Sequence, residues 1–122
     1  MSTSTKVRGT LIANGRPLRG WSYYADFIEG PGEVSTDDRG NRLPTSINGN
    51  QFDRHLSGGV ADPFGHFVLD LPPNTLIVPE GSKWRITFLP PSMGKGFSVD
   101  VVVADIGDQN ISSEVRIPDG VL

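Results

Sequence analysis

Cysteine is missing from all 122 residues. That excludes disulfides and thiolate metal centres, and it leaves the compartment open, because extracellular and viral proteins also do without it. No window approaches the ~20 apolar residues of a spanning helix. Met1-Ser2-Thr3-Ser4-Thr5-Lys6 is polar with no apolar core behind it, which reads as a chain without a secretory leader, made in a cytoplasm. Basic runs are absent, and a net charge of −3 is too small and too evenly spread for a nucleic-acid surface. Helical periodicity is absent as well.

Glycine and proline are abundant, 15 and 10 residues respectively, and both interrupt helix interiors. A chain this long buries roughly two-thirds of its unfolded surface, enough for one core. The expectation is one all-β domain over residues 1–122.

Five or six strands follow from two-residue alternation. Lys6–Ala13 runs into Asn14-Gly15, a pair suited to a tight hairpin because both tolerate positive φ. Gly20–Ile28 sets Trp21, Tyr23, Ala25 and Phe27 against Ser22, Tyr24, Asp26 and Ile28. His66–Leu71 sets Phe67, Leu69 and Leu71 against Val68 and Asp70. Lys83–Leu89 sets Trp84, Ile86 and Phe88 against Arg85 and Thr87. Gly96–Ala104 directs Phe97, Val99, Val101 and Val103 inward. Ile111–Ile117 alternates likewise. Short strands with regular turn punctuation indicate a β-sandwich or barrel.

Residues 29–61 interrupt this pattern. Gly30, Gly32, Gly40, Gly49, Gly58 and Gly59 separate scattered apolar residues, and so long a loop is unusual in a compact domain. Two readings stand: one or two edge strands, folded back at Asn48-Gly49, or an extended arm that orders against a partner. Residues 1–6 read as a flexible N-terminal arm.

Gly9-Thr10-Leu11, Gly15-Arg16-Pro17-Leu18-Arg19-Gly20 and Asp62-Pro63-Phe64-Gly65-His66-Phe67-Val68-Leu69-Asp70-Leu71-Pro72-Pro73-Asn74 together resemble the carboxypeptidase-regulatory or transthyretin-like β-sandwich family. Trp84-Arg85-Ile86-Thr87-Phe88-Leu89-Pro90-Pro91 and Ile111-Ser112-Ser113-Glu114-Val115-Arg116-Ile117-Pro118 resemble the version in tailed-phage tail-fibre, tail-tip and capsid-attached proteins. The likeness covers most of the chain outside 29–61 and implies a single antiparallel β-sandwich of prealbumin or immunoglobulin-like type, with 29–61 as a long glycine-rich insert.

Catalytic sets are hard to assemble. The histidines are His55, in the glycine-rich segment, and His66, beside Gly65; both read as polar turn or loop positions. No Gly-x-Ser-x-Gly elbow is present. Iron dioxygenases on related sandwiches use two tyrosines and two histidines, but neighbouring Tyr23 and Tyr24 face opposite sides of a strand. The terminal Tyr-Arg-Gly-Ser of the related ureide hydrolases is missing. Asp105-Ile106-Gly107-Asp108-Gln109-Asn110 lacks the ligand ladder of a calcium loop and reads as a solvated turn, as does Thr36-Asp37-Asp38-Arg39. Asn110-Ile111-Ser112 is a glycosylation triplet by pattern alone. Trp21, Tyr23 and Phe27 read as an inner face rather than a sugar platform, because burying each contributes roughly 1.5–3 kcal/mol.

The expected function is that of a non-enzymatic virion protein, without cofactor or metal, contacting other virion proteins and copies of itself but neither nucleic acid nor membrane. The candidate contact residues are Tyr24, Ile28, Phe52, His55 and Leu56. The alternative is a carbohydrate- or cell-surface-binding module, whose partner is a host-surface glycan.

Overall fold

The structure is a computed structural model that describes residues 4–13, 16–29, 39, 46–47, 52–78, 81–91 and 95–116. Among these the strands are β1 (Thr5–Ala13), β2 (Arg16–Pro17), β3 (Ser22–Ile28), β4 (Ser46–Ile47), β5 (His55–Val60), β6 (His66–Leu71), β7 (Ile77–Val78), β8 (Lys83–Leu89), β9 (Phe97–Val101) and β10 (Asp108–Arg116). One 3₁₀ turn, Asn74–Leu76, precedes β7. The chain is an all-β sandwich.

In one sheet β1 is central, antiparallel to β6 and parallel to β10, with β2 continuing the β6 side. The other sheet has the order β5-β3-β8-β9, antiparallel throughout. β4 and β7 form a separate short ribbon. The parallel β1–β10 pairing is a departure from a purely antiparallel sandwich.

The core lies where the two inner faces meet. Val7 and Leu11 of β1 and Phe67, Leu69 and Leu71 of β6 face Tyr23, Ala25, Trp84, Ile86 and Phe88 across the sandwich, all buried. Phe88 is the hub: its ring lies 4.9 Å from Phe67, 5.1 Å from Phe97 and 6.3 Å from Tyr23, centroid to centroid. The Phe67 contact is edge-to-face and the Phe97 contact stacked, and aromatic pairs of both kinds add to simple burial.

The link from β5 to β6 carries the chain between sheets. Asp62 Oδ1 accepts hydrogen bonds from the backbone N–H groups of Phe64 and His66, each at 2.9 Å, and Gly65 N–H donates to Asp62 O. The His66 N–H, foremost, holds the Asp62 carboxyl below its usual range. Gly65 has φ of 79° and is pressed against β1, its carbonyl accepting from Leu11 N–H at 2.8 Å.

Within 29–61 the described residues include two strands. β5 pairs with β3 along one border of its sheet, and Ser46–Ile47 pairs with β7. Gly58 explains why β5 escapes a hydrophobic-pattern reading. Tyr23 sits opposite Gly59 and Tyr24 opposite Ser57, so Gly58 is the extra residue of a β-bulge. Any side chain there would strike the Tyr23 ring. The Tyr23 hydroxyl continues across the sandwich and accepts the Val68 N–H at 3.3 Å. The Asn48-Gly49 fold-back, the Asn14-Gly15 turn and residues 1–3 lie outside the described residues. Thr5 and Lys6 already belong to β1, and Thr5 is fully buried.

The expected strand Gly96–Ala104 closes its ladder at Val101. Val102 to Ala104 cross to the other sheet, and side chains replace the missing strand neighbour. Asn74 N–H donates to Val103 O and Asn74 Oδ1 accepts from Val103 N–H, both at 2.8 Å. Gln109 Oε1 accepts from Ala104 N–H at 2.8 Å and its amide donates to Val102 O at 3.0 Å. Thr5 Oγ1 donates to Ala104 O at 2.6 Å. Asn74 is itself buried and donates to Ser82 Oγ. Asn74→Ala is expected to cost about 1–3 kcal/mol, because the Val103 N–H loses its acceptor in a dry site. Faster hydrogen exchange at the Val103 amide, measured by NMR, is the direct check.

Candidate functional site

The outer face of the β3 sheet gathers most of the chemistry-bearing side chains. β-Pairing aligns them in cross-strand rows, because opposed residues share a face. One row runs Ser57, Tyr24, Thr87, Ser98, and the next runs His55, Asp26, Arg85, Asp100. Thr87 and Ser98 hydroxyls are 2.9 Å apart. His55 Nδ1 lies 2.6 Å from Asp26 Oδ1, and the His55 ring is 5.2 Å from that of Tyr24.

Asp100 is the electrostatic anchor of this face. Arg85 Nε reaches its Oδ1 at 2.9 Å and Lys83 Nζ its Oδ2 at 2.8 Å. Hydrogen bonds from Arg85 and then Lys83 lower its pKa to about 2. Since the folded pKa lies below the unfolded value of about 3.9, the stabilisation is present above that value. It is lost as the pH falls towards 2. Partial exposure and salt screening reduce it to on the order of 1 kcal/mol. Asp100→Asn is therefore expected to lower the denaturant midpoint modestly at neutral pH. The difference from wild type should narrow as the pH falls towards 2, vanish only below it, and shrink in high salt.

The five contact candidates divide between two places. Tyr24, Ile28 and His55 lie on this outer face. Phe52 and Leu56 pack against the core instead, Phe52 with its ring 5.0 Å from Phe27 and 6.1 Å from Trp84. His55 is the first residue of β5 rather than a loop residue. Alternation supplied no signal for that, since Ser57, Gly58 and Gly59 leave β5 without an apolar stripe.

The two tyrosines and two histidines do not converge on one site. Tyr23 is interior, Tyr24 and His55 share the outer face of the β3 sheet, and His66 is exposed on the β6 strand with Nδ1 3.4 Å from Asp62. Each imidazole thus has an orienting carboxylate, but among the described residues no hydroxyl hydrogen-bonds either ring. Of Asp105-Ile106-Gly107-Asp108-Gln109-Asn110, the last three open β10 and pair with β1 instead of forming a solvated turn; Asp108 pairs with Arg8 at 2.6 Å and Gln109 is committed to the Val102–Ala104 crossing. Of Thr36-Asp37-Asp38-Arg39, only Arg39 is among the described residues. No family model matches this chain, and no curated protein does. A shallow open depression of about 360 Å³, lined by Asn74, Thr75, Gly81, Ser82 and Val102, lies at the crossing. Its polar groups Asn74 and Ser82 bond each other.

Proposed function

We propose that this chain is a non-enzymatic structural protein of a tailed-phage virion. It attaches to the capsid or tail as a repeated decoration, adaptor or fibre-base module. The observation that carries this reading is the outer face of the β3 sheet. It is four strands wide, and ion pairs and hydroxyl contacts hold its side chains in place before any partner arrives. Tyr24 and His55 stand together on the β5 side of that face, with Ile28 further along β3 opposite Lys83, and an aromatic anchor beside pre-positioned polar groups suits a protein contact. The residue pattern supports the sandwich on which this reading stands: the Asp62–Gly65 turn, which resembles that of the carboxypeptidase-regulatory or transthyretin-like family, joins the two sheets, while the likeness to tailed-phage proteins lies in residues 84–91 and 111–118.

Mass spectrometry of gradient-purified particles is the test, comparing wild type with Tyr24→Ala. The expected result is wild-type protein in the particles and at least tenfold less of the variant, the loss typical of an anchor residue. The variant's melting temperature should be little changed. Wild-type protein confined to the soluble fraction of the lysate would overturn the proposal.

A second reading has its own observation. The half-buried Tyr24 ring beside His55, flanked by the hydroxyls of Ser57 and Thr87, offers a stacking surface and polar groups to a sugar. Glycan binding abolished by Tyr24→Ala, with particle incorporation intact, would favour this carbohydrate-binding module.

A further inference from the structure

The border strand β9 carries none of the devices that keep sheet edges apart. Such edges are normally blunted by lysine, proline, a bulge or an uncompensated charge. On the opposite border, β5 has its bulge at Gly58. β9 pairs with β8 without a register shift from Phe97 to Val101, contains no proline or basic residue, and has no strand on its far side among the described residues. Its one charge, Asp100, is paired within its own sheet with Arg85 and Lys83, and its carboxylate stays partly exposed. On the inner face Val99 and Val101 pack on the core yet remain half-buried.

We propose that β9 pairs antiparallel with β9 of a second copy of this chain, about a two-fold axis at Val99. Side chains that meet across an antiparallel pair share a face, which limits the possible registers. Centring on Asp100 would oppose two carboxylates. Centring on Ser98 would leave Asp100 facing Gly96. Centring on Val99 sets Val99 against its counterpart, Phe97 against Val101 of the partner subunit, and Ser98 against Asp100 of the partner subunit. The Ser98 hydroxyl, already in contact with Thr87, then donates to that carboxylate while accepting from Thr87. Both inner faces gain apolar cover along the seam.

The product is one continuous eight-stranded sheet whose outer face is twice as wide. A five-residue strand contact is smaller than the ~1,200 Å² of stable interfaces. The dimer is therefore weak and concentration-dependent in solution, and firm only where copies are already held side by side. This deepens the assembly reading, but its test uses purified protein and so fails independently of particle incorporation.

The chain has no cysteine, so a single introduced thiol reports the register. Val99→Cys is expected to form a disulfide-linked dimer under mild oxidation, because opposed Cα atoms about 4.5–5.5 Å apart fall within disulfide range. Ser98→Cys should not, since its counterpart is displaced along the strand. By sedimentation equilibrium, Ser98→Lys should tighten the dimer and Ser98→Asp weaken it, each about tenfold, through the charge facing Asp100 of the partner subunit. If circular dichroism shows Val99→Cys to be unfolded, the two charge variants decide the matter. A wild-type chain that stays monomeric at every concentration, cross-linking at Ser98 in place of Val99, or charge variants that shift together would overturn the proposal.

Discussion

Trp84→Ala is expected to lose about 3–5 kcal/mol, a large share of the roughly 5–15 kcal/mol that holds a domain of this kind together. Trp84 is fully buried in β8. Its indole N–H donates to Pro72 O at 2.9 Å, fastening the end of β6 to the middle of the opposite sheet. Its ring also meets Phe27 at 5.5 Å and Phe52 at 6.1 Å, so truncation opens a cavity beneath three elements at once. Trp84→Phe keeps most of the volume but loses the hydrogen bond and part of the ring packing, for a smaller cost of about 1–3 kcal/mol. Urea midpoints of both variants provide the check. A Trp84→Ala loss under about 1 kcal/mol would mean that this packing is not what joins the two sheets.

Gly65→Ala is the second large effect. The left-handed conformation alone costs a non-glycine residue roughly 1–2 kcal/mol. A Cβ at this position would also stand 2.5 Å from Leu11 O and 3.1 Å from Leu18 N. Those atoms are backbone, and Leu18 N–H donates to Leu11 O at 3.0 Å, so relief requires breaking a hydrogen bond. The combined loss is expected to reach about 3 kcal/mol or more. Gly107 is the control: it has the same φ of 79° with open space around it, so Gly107→Ala should incur only the conformational cost. Equal losses at the two positions would show that crowding at the β5–β6 joint contributes nothing.

Much of the architecture is legible from residue alternation. β6 and β8 begin and end where their alternating apolar residues do, and β3 differs at its start by two residues. Regions where backbone needs are met by something other than a strand neighbour read poorly. β9 stops early because Asn74 and Gln109 supply the hydrogen bonds of Val102 to Ala104, and a polar residue in a turn does not announce such a distant partner. β5 is hidden because Gly58 is selected for the space that Tyr23 occupies, which removes the hydrophobic stripe that normally marks a strand. The outer-face cluster was half visible. Alternation on β3 exposes Tyr24 and Ile28, but bringing His55 against Asp26 depends on the β3–β5 register, which one strand's sequence does not encode.

The parallel union of β1 with β10 bears on how the chain is made. Lys6 of β1 stands opposite Asp108 of β10, so β1 waits until Asp108–Arg116 has been synthesised before its second flank is closed. Such distant closure slows folding and leaves a translating intermediate open to wrong pairings. A nascent chain stalled before Asp108 should therefore engage chaperones that the finished domain no longer needs.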